Sequence, residues 1–205
     1  MNVVAMAIFG TAMWMVSWRP TACFVDRSRV DVATWAGVSG LLGGLIGWRF
    51  DIGLLAITAC TLAVGLVVLT EIDLRTRRLP REISYPLFGS VLTLVGVMSW
   101  VGDGDGRFGR TMVGAAVATV ALWILHWLSR GQLGDGDVRL APALGTVASF
   151  GGVSAVWTSL LVAFVAAGAF VIVLLVSGRA TRTTTVPFGP FLAGGAIVTV
   201  LVTGA

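Results

Sequence analysis

Long apolar blocks separated by short polar connections dominate the hydrophobic pattern of this chain. A helix that crosses a bilayer core of about 30 Å needs roughly 17 to 25 predominantly apolar residues. Blocks of about this length recur along the sequence, and each of them predicts a membrane-spanning helix. They cover residues 2–18, 32–48, 52–70, 84–101, 111–129 and 187–204.

Residues 140–176 form a further apolar block that is too long for one span. The stretch FGGVS at residues 150–154 offers a turn, because paired glycines punctuate helices. We therefore predict two helices here, the first of them short; one span followed by a re-entrant segment is the alternative. The predicted fold class is thus all-α, a polytopic transmembrane helical bundle of about eight spans, with residues 1–205 as a single integral-membrane domain.

Composition agrees with a membrane protein, since 57% of the 205 residues are hydrophobic and 12% are charged. Soluble domains have about a quarter of charged residues. The formal net charge is +4, and all fourteen basic residues are arginines, scattered in groups of one to four between the apolar blocks. They form no continuous basic face for a phosphate backbone, so the lipid bilayer, and not nucleic acid, is the expected partner.

The arginines also assign a side of the membrane to each connection. Eleven of the fourteen lie in the first, third, fifth and seventh connections between the predicted spans. Because cytoplasmic loops carry an excess of basic residues, these connections are predicted to be cytoplasmic. Both termini are then expected to lie outside.

The tetrapeptide GDGD occurs twice, at residues 102–105 outside and at residues 134–137 inside by this assignment. On the outer side the only other acidic residue is Asp51, whereas the inner copy has a candidate partner carboxylate, Asp73, at a similar depth. Asp73 lies about one helical turn past the third block, and Asp137 directly precedes the block that starts at residue 140. We expect these two carboxylates to converge if their helices are neighbours, and the outer copy to be a solvated turn.

Two carboxylates that share one proton can hydrolyse a peptide bond, one as general base on water and the other as general acid. Gly134 and Gly136 permit positive φ and a close approach of a substrate backbone. Pro80 ends any helix that continues from Asp73.

Other catalytic arrangements lack their residues. The only histidine, His126, lies inside an apolar block beside Trp123 and Trp127, and we interpret it as a packed or interfacial side chain. The two cysteines, Cys23 and Cys60, form no CxxC pair, and no HExxH motif is present. Neither a metal nor another cofactor is therefore expected.

Three segments resemble, in order, the type IV prepilin peptidases, which are bacterial membrane aspartic proteases of the GxGD group. They are IDLRTRRLP at residues 72–80, LGDGDVRLAPALG at 133–145 and VPFGPFLAGGA at 186–196. The resemblance covers about residues 54–201, the expected peptidase core. It implies that Asp73 and Asp137 are the catalytic pair, with Gly134 and Gly136 supporting the motif. It also implies an enzyme of the bacterial inner membrane that removes the basic leader of pilin-like precursors at the cytoplasmic face.

The connection at residues 19–31 departs from the larger members of that family. Those members have an insert there with paired CxxC motifs, associated with methylation of the new N-terminus. Here the connection contains one cysteine, so we expect peptidase activity of the short, Flp type without methyltransferase activity. Glu71 and Glu82 flank Asp73, and either attract a basic leader or belong to a solvated face.

Three alternatives compete with this interpretation. Proteases of the signal peptide peptidase and presenilin type pair GxGD with Tyr-Asp inside a span, whereas the only tyrosine here, Tyr85, precedes Pro86. A non-proteolytic carrier would use the Asp pair to bind ions or protons, but carriers place such groups near the bilayer midplane. A structural membrane subunit would leave the Asp pair unexplained.

Overall fold

The computed structural model describes residues 2–21, 29–76, 80–102, 107–130, 133–179 and 186–203. Regular structure within these ranges is helical, which confirms the predicted all-α class. A helix lies on every apolar segment that the sequence indicated. The helices are α1 (Asn2–Thr21), α2 (Arg29–Arg49), α3 (Leu54–Thr76), α4 (Arg81–Trp100), α5 (Arg107–Leu128), α6 (Asp135–Ala148), α7 (Val153–Val176) and α8 (Gly189–Thr203).

The long apolar block at residues 140–176 is divided where the glycines predicted a turn. α6 ends at Ala148, a 3₁₀ turn covers Ser149–Gly151, and α7 begins at Val153. Gly152 between them has a φ of 114°, a conformation that side chains of other residues disfavour. α6 has 14 residues and is therefore about 21 Å long, shorter than a bilayer core of about 30 Å.

Within the described ranges, four helices are long and apolar enough to cross a membrane: α3, α4, residues Phe108–Leu128 of α5, and α7. The apolar stretches Asn2–Ser17 and Gly189–Thr203 are shorter. The apolar content is therefore that of a multi-pass membrane protein. Eight crossings and outward termini go beyond this finding and stay predictions.

The core of the bundle is built around α3. This helix contacts α1, α2, α4, α6 and α8, and α6 and α8 also contact each other. Ala56, Cys60 and Leu66 of α3 have no exposed surface. α7, by contrast, exposes large apolar side chains along its length, as expected of a helix that faces lipid on one side.

Contacts between helix termini define the two ends of the bundle. At one end, Arg75 near the C-terminus of α3 contacts Asp31 near the N-terminus of α2 at 3.0 Å; we call this the Asp73 end. At the other end, Nε of Arg49 in α2 donates a hydrogen bond to the carbonyl of Leu201 in α8 at 3.0 Å; we call this the Arg49 end.

Candidate active site

The first predicted site residue lies in the last turns of α3. Asp73 is 6% exposed, although the helix ends at Thr76. Arg75 joins this part of α3 to α2 through Asp31 at 3.0 Å, and it also lies 3.7 Å from Glu71 on its own helix. The end of α3 that carries Asp73 is therefore fixed against a neighbouring helix.

The second predicted site residue lies in the first turn of α6. Gly134 is the N-cap residue of this helix, and the backbone N–H of Asp137 donates to the Gly134 carbonyl at 3.1 Å. The Asp137 carboxylate in turn interacts with the Gly134 backbone amide. This reciprocal pattern, the backbone form of a capping box, starts the helix and orients the carboxylate. Asp137 is 6% exposed, whereas the side chain of Asp135 in the same motif is 69% exposed.

The start of α8 completes the site beside Asp73. A Cβ atom at Gly189 would lie 2.7 Å from Oδ2 of Asp73, so glycine is needed for this close approach. The Gly189 backbone amide interacts with the Asp73 carboxylate, yet Oδ2 has no hydrogen-bond partner within the described part of the chain. Phe188, just before α8, packs on Phe164 of α7 with ring centroids 5.0 Å apart, which anchors this segment.

The structure brings the two predicted acids into one site. The helices that carry them, α3 and α6, contact each other and both contact α8. Asp137 precedes the apolar part of α6 and lies outside the candidate spans. Burial, and then the charge of the neighbouring Asp73, raise the pKa of Asp137 above its ordinary value. Two carboxylates in this relation cannot both ionise easily, so the pair favours a single shared proton.

This arrangement supplies a base and an acid at the same place. The ionised carboxyl group can accept a proton from water, and the protonated group can donate one to a substrate. Oδ2 of Asp73, buried and without a hydrogen-bond partner in the described ranges, is an acceptor available to such a water molecule or substrate.

The described residues contain no group of three or more His, Cys, Asp or Glu side chains placed to hold a metal ion. Cys60 is a buried free thiol within α3. Cys23 lies outside the described residues.

Gly134 and Gly136 permit positive φ, but neither of them adopts it. Gly134 has a φ of −64°, and Gly136 is part of α6, because that helix begins immediately after Gly134. The glycine whose missing side chain matters at the site is Gly189, which was not predicted as a site residue although it lies in the segment at residues 186–196. Its signal was a glycine followed by Pro190 at the start of an apolar helix, since proline favours the first helical turn.

The two glutamates near Asp73 differ in their surroundings. Glu71 is fully buried and lies 3.7 Å from Arg75, so the interpretation of Glu71 as part of a solvated face is wrong. The nearby charge of Arg75 reduces the cost of burying this carboxylate. Glu82, in the first turn of α4, is exposed.

His126 lies half-buried near the end of α5, with Nδ1 2.6 Å from the carbonyl oxygen of Leu133. This agrees with a packed or interfacial histidine. Residues 103–106, which include most of the outer GDGD copy, lie outside the described residues. The prediction of a solvated turn there is therefore supported only at Gly102, which is exposed and has a φ of 82°.

Comparison with known proteins gives a family match over this core. The model of the type IV leader peptidase family matches residues 60–176, a range that contains both Asp73 and Asp137. The prepilin leader peptidase/N-methyltransferase of Xanthomonas campestris pv. campestris is 35% identical over 154 residues, which are 71% of this chain and 50% of the relative. The protein of the same name from Stutzerimonas stutzeri is 29% identical over 161 residues, which are 75% of this chain and 52% of the relative.

The chain spans about half the length of the curated relatives it matches. A third example, from Pseudomonas putida, is 29% identical over 168 residues, or 78% of this chain and 55% of that relative. No solved structure shows a significant match to the chain.

Proposed function

The chain belongs to the type IV leader peptidase family, a family of proteases, and on this premise we propose that it is an aspartic endopeptidase that removes the basic leader of type IV pilin-like precursors. We assign catalysis to Asp73 and Asp137, with Gly134 and Gly136 as supporting residues of the motif. One observation carries this assignment: two buried carboxylates from different helices interact at one end of the bundle.

The proposed reaction uses the shared proton of the pair. The ionised carboxylate takes a proton from water as the water oxygen attacks the scissile carbonyl carbon, and the other carboxyl group donates its proton to the carbonyl oxygen. The two groups then exchange roles: one protonates the amide nitrogen as the C–N bond breaks, and the other takes a proton from the gem-diol. The pair ends with one proton, as it began.

We further propose that this site faces the cytoplasm from the bacterial inner membrane, in a chain with eight crossings and both termini outside. Eleven of fourteen arginines fall in the connections on the side of the catalytic pair, which supports this orientation. A precursor whose apolar helix lies in the bilayer would present its leader junction at the depth of the two acids.

The finer assignment is to the short, Flp-type peptidases that do not methylate their product. It is supported by the connection at residues 19–31, which contains Cys23 and no CxxC pair. The mass of the mature pilin-like product tests it: we expect an unmodified N-terminus after incubation with S-adenosylmethionine. A product heavier by one methyl group would contradict this assignment.

The peptidase proposal is tested by incubating the purified chain in lipid nanodiscs with a pilin-like precursor in water enriched in oxygen-18. We expect a single cut between the basic leader and the apolar helix, with one heavy oxygen in the new carboxyl group of the leader. A non-proteolytic carrier would leave the precursor intact and move protons or ions in proteoliposomes. That result would overturn the proposal.

A further inference from the structure

Both backbone polar groups of Leu133, the residue before the second GDGD motif, are bound by side chains at the C-terminal end of α5 and directly after it. Nδ1 of His126 lies 2.6 Å from the carbonyl oxygen of Leu133. The backbone N–H of Leu133 donates to Oγ of Ser129 at 3.2 Å, and that hydroxyl donates to the His126 carbonyl at 3.0 Å. Leu133 therefore uses its acceptor on a side chain of α5 and its donor on the side chain that directly follows this helix.

Leu133 is adjacent to the residue that orients Asp137. It directly precedes Gly134, whose carbonyl accepts from the Asp137 backbone N–H at 3.1 Å and whose amide interacts with the Asp137 carboxylate. A shift of Leu133 moves Gly134, and with it the carboxylate. The contact with α5 is thus one peptide unit away from the atoms that set the position of Asp137.

α5 is suited to hold Leu133, because its backbone lies directly against that of α6. A Cβ atom at Gly114 of α5 would lie 2.6 Å from the carbonyl oxygen of Gly145 in α6. The glycine contact holds α5 against the last turn of α6, and His126 holds Leu133 just before the first turn, so α5 holds α6 at both of its ends.

We propose that His126 is a positioning residue of the peptidase, which holds the Leu133 carbonyl so that Asp137 faces Asp73. The inference rests on the proposed function, since it assigns His126 a role in the same site. Nδ1 carries the hydrogen, because its partner is a carbonyl oxygen and can only accept. Nε2 lies 3.4 Å from Oδ1 of Asp135, but that carboxylate is solvated and the contact contributes little.

Two substitutions distinguish the contribution of Nδ1 from that of Nε2. His126→Asn places an N–H donor near the position of Nδ1 and retains the bond to Leu133, whereas His126→Gln places one near the position of Nε2 and loses it. His126→Leu removes both polar nitrogen positions. For His126→Leu and His126→Gln we expect kcat for precursor cleavage to fall about 10- to 100-fold, the cost of a displacement of about 1 Å in a catalytic group. KM should be unchanged, because substrate contacts are not altered, and His126→Asn should restore kcat.

The controls keep this result separate from the main proposal. Trp123→Leu changes an exposed side chain of the same helix and should cleave at the wild-type rate. Asp137→Asn, measured in parallel, tests the proposed function: if it still cleaves, that function fails whatever the histidine variants do. If Asp137→Asn is inactive but His126→Leu retains wild-type kcat, the positioning role is wrong. If His126→Leu does not fold, equal kcat values for the Asn and Gln variants refute the proposal, and a higher value for Asn supports it.

Discussion

The Asp73 end and the Arg49 end of the bundle both contain polar side chains at helix termini, but these side chains have different partners. At the Arg49 end, Arg49 is half-buried and its Nε donates to the Leu201 carbonyl at 3.0 Å, a contact that joins two helices. At the Asp73 end, Asp73 and Asp137 are each 6% exposed, and each of them has the other, a group of like charge, as its neighbour. Burial of like charges costs stability, so this end retains groups that the fold alone does not need.

We expect Asp73→Asn to have the largest effect on cleavage, and so to distinguish the two ends most clearly. An amide can neither accept a proton from water nor exchange one with Asp137, so cleavage should fall by at least about 10²- to 10⁴-fold, the usual contribution of acid–base catalysis. The apparent unfolding temperature in detergent should not decrease, because a buried like charge has been removed. Cleavage at the wild-type rate by folded Asp73→Asn would contradict the comparison.

Gly189→Ala should have the next largest effect on activity. Its Cβ would lie 2.7 Å from Oδ2 of Asp73, so α8 or the carboxylate must move, and we expect a loss of about 10- to 100-fold in kcat. Gly194→Ala is the matched control in the same helix, because a Cβ there has no contact within 4 Å. It should keep wild-type cleavage and stabilise the helix by about 0.5–1 kcal/mol. Equal activities for the two variants would exclude a role for the contact between α8 and Asp73.

The pH dependence should also distinguish the Asp73 end. The pKa of Asp137 is raised by burial and then by Asp73, so the folded state binds this proton more tightly than the unfolded chain does. The free energy of unfolding should therefore fall as pH rises from the ordinary aspartate range to the raised pKa, and then level off. The rate of cleavage should decline as the pH rises through the raised pKa of Asp137, because the pair then loses its shared proton. Thermal unfolding and cleavage rates, measured across this pH range, test the two expectations. If the stability of an Asp137→Asn variant depends on pH as steeply as that of the wild type, the assignment to this residue is contradicted.

The smallest effect on activity is expected at the opposite end of the bundle. Arg49→Ala removes the hydrogen bond to Leu201 and should lower the free energy of unfolding by about 1 kcal/mol while leaving kcat unchanged. Arg110→Ala, at an exposed position, should change neither quantity. A loss of cleavage in folded Arg49→Ala would show that the two ends are not separable.

The sequence predicted the helices well because membrane spans require long apolar blocks, and Gly152 marked the division between α6 and α7. It also selected Asp73 and Asp137, since the arginine pattern put them on one side. It did not place Gly189 against Asp73, because which helices are neighbours depends on tertiary packing. The burial of Glu71 had no local signal either, because a pair with Arg75 four residues later is equally compatible with an exposed helix face.

Asp137→Asn and Asp135→Asn test the central claim most directly when both are co-expressed with a pilin-like precursor. The same chemical change is made two positions apart in one motif, at a side chain that is buried and at one that is 69% exposed. The account predicts that Asp137→Asn accumulates the uncut precursor and that Asp135→Asn processes it almost as the wild type does. Continued processing by Asp137→Asn, or equal impairment of both variants, would contradict it.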